Sequence, residues 1–197
     1  IALILHALAK PGNGMWIEDP GFPLIRPIVT RHDVEILPVP VDDNGLDITS
    51  GIQNYPDARF ALITPAHQSP LGVALSLARR HQILEWADRS QAWIIEDDYD
   101  SEFRYHGKPL PALKSLDAPQ RVIYAGTFSK ALFPALRCAW LVLPVKQIAQ
   151  FRTRRHWLHV RYLFYGRTHW QTFFARGSFW RHLKKNASAL CSTSAMD

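Results

Sequence analysis

The segment from Ala125 to Cys138 reads AGTFSKALFPALRC. An apolar run, RVIYAGT at 121–127, leads into Phe128-Ser129-Lys130, and an arginine follows at Arg137, seven positions after the lysine. The β-branched and aromatic content of that run predicts a strand, which places Lys130 just past a strand's carboxyl end. A lysine in such a place is either a surface charge or a nucleophile. The rest of the sequence decides between the two.

Five further runs predict strands: MWIED (15–19), VEILPVPV (34–41), RFALITP (59–65), AWIIEDDY (92–99) and CAWLVLP (138–144). Several are apolar almost throughout, the pattern of strands covered on both faces. Between them FPLIRPIVTRH (22–32), LDITSGIQNY (46–55) and SLARRHQILEWADRS (76–90) predict helices. In the last of these Leu77, Ile83, Leu84 and Trp86 fall near one face, and Ser76 stands where a cap is needed. The opening IALILHALAKPGNG predicts a core helix ending at Pro11-Gly12. Strand and helix taking turns predicts an α/β fold, a mostly parallel sheet sandwiched by helices, with a helical C-terminal segment. After Pro144 the pattern becomes long, helix-like and basic, which divides the chain into a large domain over 1–144 and a second segment over 145–197.

The length of 197 residues and 47% hydrophobic content suffice for one sizeable core. No apolar run is long enough to cross a bilayer, so no membrane partner is expected. The two cysteines, Cys138 and Cys191, have no metal-type spacing, which predicts no metal and fits a cytoplasmic protein. The net charge of +6 is uneven: residues 151–197 carry nine Lys and Arg against one acid, and residues 1–150 fourteen against sixteen. FRTRRHWLHVRYLFYGRTHW (151–170) interleaves Arg with aromatic residues, a loose signal for nucleic acid. An amphipathic helix pair with a solvated basic face and an aromatic core face accounts for it more simply.

Three strand ends carry polar groups: TPAHQSPLG (64–72), EDDYDSEFRY (96–105) and GTFSK (126–130). In an open α/β sheet, ligands gather at the carboxyl ends of strands, so these pieces can share one pocket. Each alone is weak, since Asp-rich turns, exposed lysines and hydrogen-bonded loop histidines are common. A nucleotide-binding module is excluded because no Gly-rich phosphate loop follows any strand. A serine hydrolase is excluded because GTFSK lacks the glycine of the nucleophile elbow.

Together with WIEDPGF (16–22), these segments follow one another in an order and spacing that resemble fold-type I pyridoxal-phosphate enzymes. The resemblance is nearest to the aminotransferase-like domain of bacterial transcriptional regulators of the MocR/GabR type, within the GntR family, and covers roughly residues 1 to 185. It implies pyridoxal 5'-phosphate as cofactor, with Lys130 resembling the lysine that holds it covalently. Such a bond forms only from a neutral amine, which desolvation or neighbouring cations favour. Asp97 resembles the carboxylate that pairs with the pyridine nitrogen, and Tyr99 the phenol that hydrogen-bonds the ring oxygen. Along a strand, residues i and i+2 point the same way, so Asp97 and Tyr99 can address one ring while Asp98 faces elsewhere. Arg137 resembles the phosphate-binding arginine, with Thr127 and Ser129 as hydroxyl donors to the same phosphate. Phe22 stands where tyrosine is common and can stack without offering a hydroxyl, and His67 with Gln68 resembles the residues along the cofactor's edge.

Two positions depart from the family pattern: Ser69 where an aromatic residue is usual, and Ala139 where glycine is usual. A glycine-rich phosphate turn and a DNA-reading winged helix would precede Ile1, and a small domain with a carboxylate-binding arginine would follow. FFARGSFWRHLKKN (173–186) still resembles an interdomain helix, whereas ASALCSTSAMD (187–197) does not. The expectation is therefore an internal fragment, inactive alone and a poor cofactor binder. Its parent would be a homodimeric regulator that senses an amino acid or amine and touches DNA only through the winged helix. The alternative is a fragment of a free-standing class I/II aminotransferase, moving an amino group between an amino acid and a 2-oxo acid. Transaminase chemistry in the parent is left open between the two.

Overall fold

The structure is a computed structural model that describes residues 1–103, 111–132, 138–157, 175–177, 179 and 181–183. Arg137, Cys191, most of the basic aromatic segment and the 187–197 tail fall outside the described residues. Helix α1 (Ala2–Leu8) comes first, then strand β1 (Gly14–Asp19), helix α2 (Ile25–Thr30), and strands β2 (Glu35–Asp42) and β3 (Gly45–Leu46). Helix α3 (Ile48–Asn54), strand β4 (Phe60–Ile63), helix α4 (Leu77–Arg89) and strand β5 (Trp93–Asp98) follow. Strand β6 (Val122–Thr127) passes into the short helix α5 (Phe128–Ala131), and β7 (Ala139–Val142) leads to α6 (Ile148–Trp157).

Among the described residues the strands form one seven-stranded sheet in the order β3-β2-β1-β4-β5-β6-β7. The five inner strands are parallel; β3 against β2 and β7 against β6 run antiparallel at the two edges. Alternation along the strands builds two cores. Trp16, Ala61, Ile63, Ile94 and Val122 face one side, where Ile83, Leu84, Trp86 and Ala87 of α4 and Ile48 of α3 cover them. Met15, Ile17, Phe60, Leu62, Ile95 and Ile123 face the other, under Ile4 and Leu5 of α1, Ile25 and Val29 of α2, and Phe151 of α6. The same α6 is tied to α1 by Gln150 Nε2, which donates to the Ala7 carbonyl at 2.6 Å.

Helix α4 begins where the sequence places it, with Ser76 Oγ accepting from the Arg79 N–H at 3.4 Å. Ile83, Leu84 and Trp86 are buried on the expected face, which differs at its start. Leu77 is half exposed, and Arg80 takes a buried place at 2% exposure. The guanidinium is tolerated there because it donates to the carbonyls of Leu75, Pro65 and Pro111 at 2.9, 2.6 and 2.7 Å. On the same side Trp86 stacks on Trp16, with ring centroids 3.9 Å apart. The indole of Trp16 also sits against Gly51 of α3, where a Cβ would stand 3.0 Å from the ring. No helix among the described residues is long and apolar enough to cross a membrane.

Because both faces of β5 are covered, truncation on either side should be costly. Ile94→Ala and Ile95→Ala are each expected to lower stability by about 2–5 kcal/mol. Urea denaturation of the two variants checks this; a near-neutral result for one would mean that its face of the sheet is open.

Candidate functional site

The parallel register sets Ile17 beside Leu62, Ile63 beside Glu96 and Asp97 beside Ala125, so β1, β4, β5 and β6 all end on one edge. At the end of β6, Thr127 Oγ1 accepts from the Ser129 N–H at 3.1 Å and caps α5, with the two hydroxyl oxygens 3.0 Å apart. Gly126 lies beneath the Trp140 indole so closely that a Cβ would overlap the ring. That close approach lets Trp140 of β7 reach Phe128, centroid to centroid 4.4 Å, and fixes the start of the helix that carries Lys130.

The end of β5 divides its acids. Asp97 faces a pocket walled by Ile17, Phe22, Ile25 and Leu62, with Phe22 about half exposed at its mouth. No hydrogen bond from the described residues reaches its carboxylate. Burial pushes Asp97 above the usual carboxylate range, and the Asp98 charge adds to it. Asp98, on the opposite face, accepts from Tyr124 Oη at 2.6 Å and from Ser101 N–H and Oγ at 3.1 and 2.6 Å. One carboxylate is thus spent on structure, and the other has no donor among the described residues.

Tyr99 follows one residue after β5, beyond the reach of strict strand alternation. Its ring lies 4.3 Å from Lys130 Nζ, a cation–π contact, and its hydroxyl donates to the His67 carbonyl at 2.8 Å. The His67 ring stacks on the Tyr99 ring, with centroids 6.2 Å apart, and His67 Nδ1 lies 2.8 Å from Asp100 Oδ2. Burial pushes the Tyr99 phenol up, and the charges of Asp100, Glu18 and Asp97 push the same way.

The structure therefore brings Lys130, Tyr99 and His67 into one contact chain, sets Phe22 and Asp97 around one pocket, and puts Thr127 and Ser129 at the start of α5. Arg137 lies outside the described residues. Sequence reasoning missed Glu18 and Thr64, which line the same pocket. The available signal was that WIED, like WIIEDD, ends a strand in acids. Among the described residues no cluster of three or more His, Cys, Asp or Glu is placed to hold a metal.

A mostly parallel sheet covered on both sides, with a lysine and an acid that no described donor reaches at its carboxyl edge, defines an open α/β protein of the kind whose ligands gather at the strand ends. The chain belongs to the family described as aminotransferase class I and II, which it matches over residues 1–196. It is 45% identical over 141 residues to the uncharacterized HTH-type transcriptional regulator YdeL of Bacillus subtilis, covering 72% of this chain and 30% of that protein. To the probable rhizopine catabolism regulatory protein MocR of Rhizobium meliloti it is 37% identical over 142 residues, or 72% of this chain and 28% of the other. In structure it resembles the Pyrococcus horikoshii kynurenine aminotransferase solved in complex with PMP. The TM-score is 0.88 and the identity 25%, covering 95% of this chain and 48% of that one. The chain thus spans less than a third of the length of these two regulators.

The two aspartates should behave differently on substitution. A carboxylate whose folded pKa is raised contributes stability that is fully present below its unfolded value, about 3.9, and is lost as pH rises through the folded value. Asp97→Asn removes that cost and is expected to melt at or above the wild-type temperature near neutral pH, with the gap closing as pH falls towards about 4. Asp98→Asn strands the Tyr124 and Ser101 donors and is expected to lose about 1–3 kcal/mol. Thermal melts across this range check both, and matching behaviour of the two variants would contradict the division.

Proposed function

We propose that this chain is the cofactor-binding, aminotransferase-like effector part of a transcriptional regulator, with pyridoxal 5'-phosphate as its cofactor. The observation that carries the reading is the Asp97 carboxylate, set in a mostly apolar pocket with no hydrogen-bond donor among the described residues, on the same sheet edge as Lys130. A desolvated acid of this kind suits a cationic ring nitrogen, and the donor set fits the group. Lys130 would anchor it, Asp97 would face the ring nitrogen, Tyr99 the ring oxygen, and Phe22 the ring plane. Thr127, Ser129 and Arg137 would take the phosphate, and His67 would stand at the edge. When bound, pyridoxal phosphate supplies an electron sink for the bonds around an amino group.

What the chain's own residues do follows from their placement. Ile17, Ile25 and Leu62 keep water from the pocket floor and so strengthen any charge pairing with Asp97. Tyr99, tethered to His67, holds a face against the Lys130 ammonium. The regulator reading is supported by 45% and 37% identity to two regulators, against 30% over a similar length to the aromatic-amino-acid aminotransferase 1 of Thermococcus litoralis. DNA contact would lie in a separate winged-helix domain, the effector would be an amino acid or amine, and the parent would be a cytoplasmic homodimer.

The test is covalent trapping. Full-length parent protein incubated with pyridoxal phosphate and then borohydride should carry the label on the peptide containing Lys130, and Lys130→Ala should lose it. Label on another lysine, or undiminished label in Lys130→Ala, would overturn the reading.

A further inference from the structure

Glu18, the penultimate residue of β1, is a carboxylate almost wholly withdrawn from water, at 7% exposure. Both of its oxygens are taken up by the segment that follows β4. Oε1 accepts from the Thr64 backbone N–H at 3.0 Å; Oε2 accepts from Thr64 Oγ1 at 2.6 Å and from Gln68 Nε2 at 3.3 Å. Gln68, 2% exposed, is the hub of that segment. Its Nε2 also donates to the carbonyls of Pro20 and Ser69 at 2.8 and 3.0 Å, and its Oε1 accepts from the Leu71 N–H at 3.0 Å. Its main chain closes the turn as well, donating to the Val73 carbonyl at 2.8 Å and accepting from the Gly72 N–H at 2.6 Å.

The residue before this hub is His67, whose carbonyl holds the Tyr99 hydroxyl, and the Tyr99 ring lies against Lys130 Nζ. A continuous run of contacts therefore joins an acid on β1 to the lysine after β6. We infer that Glu18 is a positioning residue for Lys130: by pinning Thr64 and Gln68 it fixes the His67 carbonyl, and through it the Tyr99 ring that covers the lysine's ammonium group.

The residue type matters. Three donors converge on Glu18, and only a carboxylate offers acceptors at both ends. A glutamine in its place would turn an NH2 either towards the Thr64 N–H or towards Gln68 Nε2, a donor against a donor. Burial pushes Glu18 above the usual carboxylate range, while the bonds from Thr64 and Gln68 hold it down. Those bonds are what make an otherwise costly buried charge tolerable. The inference concerns only this chain's own side chains and goes beyond the cofactor assignment.

The experiment is trace acetylation of the full chain with acetic anhydride, without cofactor and well below the melting temperature. Mass spectrometry then reads the label at Lys130 as a ratio to that at Lys10 and Lys146, both exposed. In Glu18→Gln this ratio is expected to rise about twofold or more, the size of a lost cation–π cover at an exposed site. Tyr99→Phe, which cuts the tether to His67, should raise it equally, and the double variant should add nothing further. Thr64→Val should raise it too, whereas Thr64→Ser, which keeps the hydroxyl, should restore the wild-type ratio. A residue needed only for stability would lower the melting temperature and leave the ratio unchanged. An unchanged ratio in folded Glu18→Gln, or additive effects in the double variant, would overturn the inference. If Glu18→Gln does not fold, the Thr64 pair decides by the same ratio. Failure of the cofactor assignment would leave this ratio untouched, so the two outcomes are distinguishable.

Discussion

Parallel pairing of β1, β4, β5 and β6 obliges all four strands to end on the same edge of the sheet. Polar side chains far apart in sequence, Glu18, Thr64, Asp97 and Thr127, are delivered to that edge by backbone hydrogen bonding alone. The rest of the chain preserves this arrangement. Helices on both faces shut out water, and the packing of alternate side chains into two different cores also holds the register, because a slip of one residue would move every strand side chain into the core built for its neighbour.

The edge is an electrostatic problem that the fold solves differently for each acid. Glu96 accepts from the N–H groups of Leu113 and Lys114 at 2.7 and 2.8 Å and organises the approach to β6. Glu18 fastens the turn after β4, and Asp98 fastens Tyr124 and Ser101. Each of these carboxylates sits where donors converge, which offsets much of the cost of burial. Asp97 receives no such donors from the described residues, and burial raises its pKa. Within a framework that satisfies its neighbours, that exception points to a partner from outside the chain.

Much of the fold was legible because its signals are local. β-branched runs gave the strands, and Ser76 announced the start of α4. Alternation separated Asp97 from Asp98, which indeed face opposite sides of the sheet. What was not legible depended on partners distant in sequence. Nothing in CAWLVLP states that β7 runs antiparallel, since direction is set by its pairing with β6 and not by its own composition. Arg80 reads as a surface charge until the carbonyls of Leu75, Pro65 and Pro111 are seen around it. Glu18 reads as an ordinary strand-end acid, because Thr64 and Gln68 are 46 and 50 residues away. The motif that singled out Lys130 is local, but the tether from His67 to Tyr99 exists only in three dimensions.

The central claim is that Asp97 stands desolvated, with no donor among the described residues, ready for a cationic ligand. Carbon-13 NMR titration of the side-chain carboxyl groups, with Asp97 assigned by comparison with Asp97→Asn, tests it most directly. The account predicts that Asp97 titrates above the ordinary aspartate value of about 3.9 in the free chain and that pyridoxal phosphate moves its midpoint downward. A midpoint at or below the ordinary value in the free chain, unmoved by pyridoxal phosphate, would contradict it.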